Sequence, residues 1–475
     1  MFRIAAVGIA ALVAAVSLAS TAYWVTAAEP TRPNIVLIYM DDVSPHDGRL
    51  WTDPDLTPTL YKRFVERGIH FENAIGETPV CCPGRAGLLT GLHTHNHGVT
   101  RNDARLFKPG MHIGKALKGA GYATMFIGKY MNNNKYLTDE QWIRHGRGWT
   151  HLDVIKGVNG DYLGYTVHTK TGNVRYDDTH STEMVAQRAL MRFREAPPET
   201  PIFAVLSVYN LHGPNTPMPA FAHDARCIGM DRYKPPNYNE ADVSDKPLYV
   251  QNQPLLTDPY LEGWPMVRYC REMLGIDWLT QQVVDELAAQ DRLQNTLLVF
   301  TADNGSHWGI HRLGQSKLTP YAAPIPLYMS WPAKWGTTRV DVSDVASNID
   351  LAPTFCALAE SCTLGPYPTG QSTPDGHNLG PILDDPVAGL VARSGVLESA
   401  FTKSRTWHGI RTSPHSNMGF WHYVEWADGS VELYDLVADP WELESQHANS
   451  KLASVKAELA KRLADLWAEG RVATP

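Results

Sequence analysis

Two acidic pairs in this 475-residue chain have the composition of a metal site: Asp41-Asp42 and Asp303-Asn304. Each directly follows a continuous apolar run, Asn34-Ile-Val-Leu-Ile-Tyr-Met40 in one case and Thr296-Leu-Leu-Val-Phe-Thr-Ala302 in the other. Together they offer hard oxygen donors, which suit calcium, or magnesium in its place, better than zinc, which prefers nitrogen and sulfur. An isolated Asp-Asp pair reads equally well as a helix cap or a turn. The second pair, on a second strand end, tips the balance towards a metal. Between them lies Cys81-Cys82-Pro83-Gly84-Arg85-Ala86-Gly87-Leu88-Leu89-Thr90-Gly91, and Lys129, His212 and Lys317 follow at wide intervals. Taken singly, Lys129 reads as a solvated surface residue and His212 as a structural hydrogen-bonder.

The elements that must position these groups are legible from periodicity. Apolar runs rich in β-branched residues are expected of strands buried on both faces of a mostly parallel sheet. Further strand candidates are residues 124–127, 202–208 and 325–329, with helices over 182–194 and 269–289, an alternation that predicts a layered α/β domain. In open α/β sheets the carboxyl ends of the strands form the ligand crevice, so acidic tips 262 positions apart can meet there if their strands are neighbours. Residues 213–265 lose periodicity and carry repeated prolines (Pro214, Pro217, Pro219, Pro235, Pro236, Pro247, Pro254). This reads as a long loop beginning beside His212, expected to face substrate as a lid. Near the end, Phe420 to Trp426 and Val431 to Leu436 flank Asp428-Gly429, a hairpin signal. Leu452, Val455, Leu459, Leu463 and Leu466 then share one face of a terminal helix, which should pack on that hairpin.

Composition bounds the partners. With 42 basic against 50 acidic residues the formal net charge is −8, which points to no nucleic-acid partner and no polybasic membrane surface. Any anion must be held locally, and the balance does not look built for long polyanionic glycans. Met1-Phe2-Arg3 and the small apolar run from Ile4 to Ala19 read as a secretory signal peptide over residues 1–28, the alternative being an uncleaved membrane anchor. The remainder divides into a catalytic domain over 29–385 and a C-terminal subdomain over 386–475 with the antiparallel hairpin and terminal helix. Side chains near His46, Trp149, Tyr162 and Trp308 are candidates to line an aromatic or sugar pocket, and equally candidates for core.

In order along the chain, these motifs resemble the sulfatase family, whose signature reads Cys, any residue, Pro, usually Ser, then Arg, with Thr-Gly after four more residues. Gly84 stands where Ser is usual. Gly128-Lys129-Tyr130, Asp303-Asn304-Gly305, the stretch Gly309, His311, Gly314, Lys317, Thr319, Pro320, Tyr321, and the late Asn348-Ile349-Asp350-Leu351-Ala352-Pro353-Thr354 extend the match over nearly the whole chain. The double cysteine, Gly128-Lys129-Tyr130-Met131-Asn132 and His95-Asn96-His97 look most like the N-acetylglucosamine-6-sulfatase branch. Met131 stands where many arylsulfatases have histidine, and Ala322-Ala323 replace an acidic pair. The resemblance implies an alkaline phosphatase/sulfatase-like fold: a large mixed, mostly parallel sheet sandwiched by helices, with a smaller C-terminal α+β subdomain. It further implies that Cys81 is oxidised to formylglycine by a formylglycine-generating enzyme. The hydrate of that residue would be the nucleophile on a sulfate monoester of a small molecule or glycan, with transient sulfation of the enzyme. Asp41, Asp42, Asp303, Asn304 and residue 81 would ligate calcium, Arg85 would stabilise the nucleophile, Lys129 and Lys317 would contact sulfate, and His212 or Lys317 would protonate the leaving alcohol. With Cys81 so committed, the spacing of the other cysteines allows Cys356 to pair with Cys362 and Cys227 with Cys270, leaving Cys82 free and buried. Two other readings stand beside this one: a phosphodiesterase or phosphonate monoester hydrolase of the same superfamily, and a sulfatase-like binding protein without turnover.

Overall fold

The computed structural model describes residues 32–157, 162–230, 232–257, 263–367, 370–386, 396–400 and 406–468. The expected signal peptide lies outside the described residues. Ten strands form the main sheet: β1 (Asn34–Met40), β2 (Gly68–Ile75), β3 (Ala123–Gly128), β4 (His151–Lys156), β5 (Tyr165–Thr169), β6 (Gly172–Tyr176), β7 (Ile202–Ser207), β8 (Thr296–Ala302), β9 (Leu327–Ser330) and β10 (Arg339–Ser347), in the order β10-β2-β9-β8-β1-β7-β3-β4-β5-β6. The central run is parallel, β8 with β1, β1 with β7, β7 with β3 and β3 with β4. Antiparallel pairings begin at β9 on one side and β5 on the other, so the sheet is mixed but mostly parallel at its centre.

Every residue of β1, β3, β7 and β8 is buried, which requires cover on both faces, as the unbroken apolar runs imply. The helices Ser181–Glu195 and Met266–Ala289 pack on each other, and the first of them lies against β3 and β7; Ile113–Gly119, Leu351–Leu358 and Cys81–Thr90 form a second packed set. The expected strand over 325–329 falls on β9, which turns out antiparallel to its neighbours. A separate four-stranded antiparallel sheet comprises β11 (Val396–Ala400), β12 (Trp407–Arg411), β13 (Trp421–Trp426) and β14 (Val431–Asp435). The last pair is the expected hairpin. The terminal helix Ala453–Ala468 buries Leu459, Leu463 and Leu466 against Ile410, Tyr423 and Leu433, which satisfies a leucine face that would otherwise stay in water.

Both cysteine pairings allowed by spacing are present, Cys227–Cys270 and Cys356–Cys362, and Cys81 and Cys82 are free and buried. Within 213–265 the described residues form only short turns and the four-residue helix Leu248–Gln251. This loop is stapled to the Met266–Ala289 helix by Cys227–Cys270 and meets the loop that carries Lys317 through the bridge Tyr238–Ile310. Gly309 has φ +93°, and a Cβ there would lie 2.2 Å from the Tyr238 ring, so only glycine permits that close approach.

Candidate active site

Four adjacent parallel strands deliver the polar groups to one edge. Asp303 and Asn304 follow β8, Asp41 and Asp42 follow β1, Ser207 ends β7 with His212 beyond it, and Lys129 follows β3. The register pairs Met40 with Ala302 and Gly128 with Ser207, so the strand ends are level. Backbone bonds from Asp41 N to Asn210 O (3.0 Å) and from Leu211 N to Asp41 O (2.8 Å) hold the β7 exit beside β1 and bring His212 over Asp42. The helix Cys81–Thr90 starts at Cys81, preceded by Val80 in an extended conformation, and all ten of its residues are buried. Asn348 fixes its start: its side-chain nitrogen donates to Gly84 O (2.8 Å) and its oxygen accepts from Glu77 N (2.9 Å).

The cations interleave with the carboxylates. Lys129 is ion-paired with Asp41, and Lys317 Nζ lies 2.5 Å from Asp42 Oδ1 and 3.0 Å from Cys81 Sγ. Arg85, fully buried, donates to Asp303 Oδ2 (2.8 Å), Lys129 O (2.8 Å) and Ser207 Oγ (2.7 Å), and its guanidinium lies 5.0 Å from the Tyr39 ring centroid. His212 Nε2 lies 3.7 Å from Asp42 Oδ2, with its other ring nitrogen 2.6 Å from Gly213 O. Burial alone would raise the Asp41 carboxyl, but Lys129, with His212, Arg85 and Lys317, holds it well below the usual range. Asp303 goes the other way: burial and the Asp41 charge raise it to about 6 against the pull of Arg85. Burial pushes the Cys81 thiol up, opposed by Lys129 and Lys317. Lys317 resists burial because Asp42 leads a ring of negative groups that raise it well above its ordinary value.

The residues present fit a divalent cation. Oxygens of Asp41, Asp42 and Asp303 lie within 4.8 Å of one another, as do donor atoms of Asp41, Cys81 and His212. Asn304 donates to Asp42 Oδ1 (2.7 Å), while its own side-chain oxygen is buried with no hydrogen-bond partner. An acceptor left bare in that position costs free energy unless a donor or cation faces it, and crowded carboxylates with an amide oxygen are a hard-cation donor set.

All nine residues singled out from the sequence are therefore brought together: Asp41, Asp42, Cys81, Arg85, Lys129, His212, Asp303, Asn304 and Lys317. Ser207 and Tyr39, which support Arg85, were not among them. Ser207 falls inside the expected strand over 202–208 and nothing local marks its hydroxyl, because only the strand order brings it to Arg85. The aromatic candidates divide. Trp149 is core, stacked on His112 at 4.9 Å between ring centroids. A side chain of that size on a chain segment leading into β4 fills the space between helix and sheet. Tyr162 is buried, and its hydroxyl donates to His212 O (2.7 Å). His46, by contrast, lines an open cavity of about 490 Å³ with Tyr233, Trp441, Arg49 and Arg411.

The sequence profile described as Sulfatase matches residues 33–361. The chain is 28% identical to an arylsulfatase of Volvox carteri over 517 aligned positions, covering 96% of this chain and 77% of that protein. It is 27% identical to the human N-acetylglucosamine-6-sulfatase, covering 78% of this chain and 68% of that one. A structure solved in complex with its substrate D-glucosamine-2-N,6-O-disulfate superposes with a TM-score of 0.73 at 19% identity, over 92% of this chain and 98% of the other. That likeness shows the shared alkaline phosphatase-like fold. With its profile match, its relatives and its strand-end site in agreement, this chain belongs to the sulfatase family and is a sulfatase, an enzyme of sulfate ester hydrolysis.

Proposed function

We propose that the protein is an exported, calcium-dependent sulfatase that hydrolyses a sulfate monoester of a sugar or aryl alcohol through a formylglycine made from Cys81. The observation that carries this reading is the position of Cys81, which sits at the first turn of a helix, 3.0 Å from the Lys317 amine and 3.7 Å from Asp41 Oδ1. The two disulfides and the Met1–Ala19 leader favour export to an oxidising compartment.

Formylglycine as its hydrate supplies one hydroxyl to displace the alcohol at sulfur and a second whose deprotonation expels sulfate and restores the aldehyde. Asp41, Asp42, Asp303, Asn304 and residue 81 would hold a calcium ion, which when bound would supply charge that acidifies such a hydroxyl. The chain's own groups do the rest. The helix N-terminus and Arg85 favour negative charge at residue 81. Lys129 and Lys317, both kept charged by their carboxylates, meet the sulfate oxygens, where preorganised cations in a dry site are most effective. His212, at the partly exposed rim, gives the alcohol its proton. Asp42 orients both His212 and Lys317.

Mass analysis of the peptide containing residue 81 tests this directly: conversion lowers the mass by about 18 Da relative to cysteine. Cys81→Ala is expected to abolish turnover of aryl sulfates. A fully active preparation holding only intact cysteine at 81 would overturn the reading, and faster turnover of matched phosphate or phosphonate esters would give the site to the superfamily's other chemistry.

A further inference from the structure

A second concentration of charge lies away from the strand-end site. A cavity of about 410 Å³ is lined by Arg105, Lys108, Lys115, Arg144 and Arg147, with Gln141 as a further donor, and no carboxylate is among its described lining residues. In a chain of net charge −8, five cations around one concavity depart from the average surface. Their neighbours neutralise only part of this charge. Arg105 takes Asp103 through two 2.8 Å bonds, and Arg144 pairs with Glu140 at 2.7 Å. Among the described residues the Lys115 amine donates to the backbone oxygen of Gly110 (3.1 Å) and pairs with no carboxylate. Among the described residues no carboxylate pairs with the Lys108 amine or the Arg147 guanidinium, and both residues are exposed. Three cations thus remain uncompensated.

The walls come from separate segments, the loop 105–110, Lys115 in the next helix, and the helix Asp139–Gly146 with its exit. The concavity is therefore a product of folding rather than of a basic run. Its floor is fixed, because Phe107 and His145 are buried and both pack on Tyr130, whose hydroxyl lies 3.0 Å from His145 Nδ1. Tyr130 itself follows Lys129 in the chain.

We propose that this cavity is a second anion site, which holds a sulfate group of a sulfated glycan at a distance from the ester being cleaved. The proposal rests on the sulfatase reading for the choice of anion. The Arg147 fork with the lysine points Lys108 and Lys115 on a concave lining match a tetrahedral oxyanion better than they match a flat acidic surface. A sulfated chain gripped here would be retained between encounters, which lowers KM for the polymer without touching the chemical step.

The test uses the full-length protein and the triple variant Lys108→Ala/Lys115→Ala/Arg147→Ala, with Lys108→Glu/Arg147→Glu as a second. All the altered side chains are exposed, and an unchanged melting temperature checks the fold. Retention on immobilised heparin, and affinity for a size-defined heparin oligosaccharide, are measured against salt. The triple variant is expected to bind at least about tenfold more weakly, with the log–log salt slope reduced by about one per cation removed. kcat/KM on a small aryl sulfate should stay within about twofold, because the deleted charges lie outside the reacting centre. Retention equal to wild type would overturn the proposal, as would displacement by inorganic sulfate as effective as by the oligosaccharide at equal ionic strength. Loss of heparin binding in the variant of a protein that turns over no sulfate ester would support the cavity and count against the proposed function. The opposite pattern, turnover of small esters without any glycan retention in the wild type, would sink the cavity alone.

Discussion

At the scale of single residues, Gly84 is the position where this chain departs from the usual signature, and its surroundings give a reason. A Cβ on residue 84 would lie 2.3 Å from the backbone oxygen of Asp303 and 3.3 Å from that of Thr78. Both are backbone atoms, one of them on the segment that carries the second acidic pair, so neither can swing aside. The helix therefore sits closer to the β8 exit than a serine allows. Restoring the common residue is accordingly expected to harm the protein. Gly84→Ser should cost about 1–3 kcal/mol through overpacking and reduce aryl sulfatase activity by displacing Asp303 and Cys81 from each other. Chemical denaturation and steady-state assays check this, and a more stable and more active Gly84→Ser enzyme would refute it. Cys81 and Arg85 were legible because they lie within five positions of each other. Ser207, the hydroxyl that Arg85 uses, was not, because only folding brings it there.

At the scale of elements, the site depends on how the Cys81–Thr90 helix is seated, and Asn348 seats it. The residue lies at the exit of β10, yet it bonds Gly84 O and Glu77 N on either side of the helix start. Its amide makes both bonds at once, as neither a carboxylate nor an apolar side chain can. Asn348→Ala should cost about 1–3 kcal/mol, since it removes a hydrogen bond from each of two buried groups, Glu77 N and Gly84 O. It should also lower kcat by more than about tenfold while KM moves less, as expected when a reacting group is misplaced and substrate binding is left intact. Asn348→Asp keeps the acceptor for Glu77 N and should fall between the two. Equal losses in all kinetic parameters, tracking stability alone, would make Asn348 merely structural. The terminal helix and hairpin were readable from periodicity because their heptad-like leucines and Asp-Gly turn are local signals. The edge strands β5, β6 and β10 were not, since half-exposed segments lack a continuous apolar run.

For the whole molecule, buried titratable groups set a pH dependence whose sign follows from their shifts. Burial holds His46, His97, His112 and His145 at about 4, below the ordinary value near 6.5. The folded chain then binds fewer protons than the unfolded one between pH 6.5 and 4, and stability falls as pH drops through that window. Two carboxylates add a lower window. Glu77 and Glu442 are held at about 2 despite burial, by His93 in the first case and by His422 and Arg411 in the second, and their contribution is lost between pH 4.5 and 2. Asp47, raised to about 7 by burial, Asp303, raised to about 6, and Glu272 and Asp277, also raised by burial, oppose this trend. They stand against eight histidines lowered by burial among the described residues, once His70, His151, His168 and His180 join the four above. The melting temperature should therefore decline steadily below pH 6.5, as calorimetry from pH 7 to 4 would show; a flat profile to pH 4.5 would contradict it. The buried strands, the acidic pairs that end them, the cysteine signature and the terminal helix are all readable along the chain, because each is written within a few residues as composition and period. Packing of the whole chain is what sets β8, β1, β7 and β3 side by side, brings Lys317 to Cys81, and lines one cavity with five cations in an acidic protein. Strand order is a property of the whole packed sheet, and net charge is a sum that carries no positions.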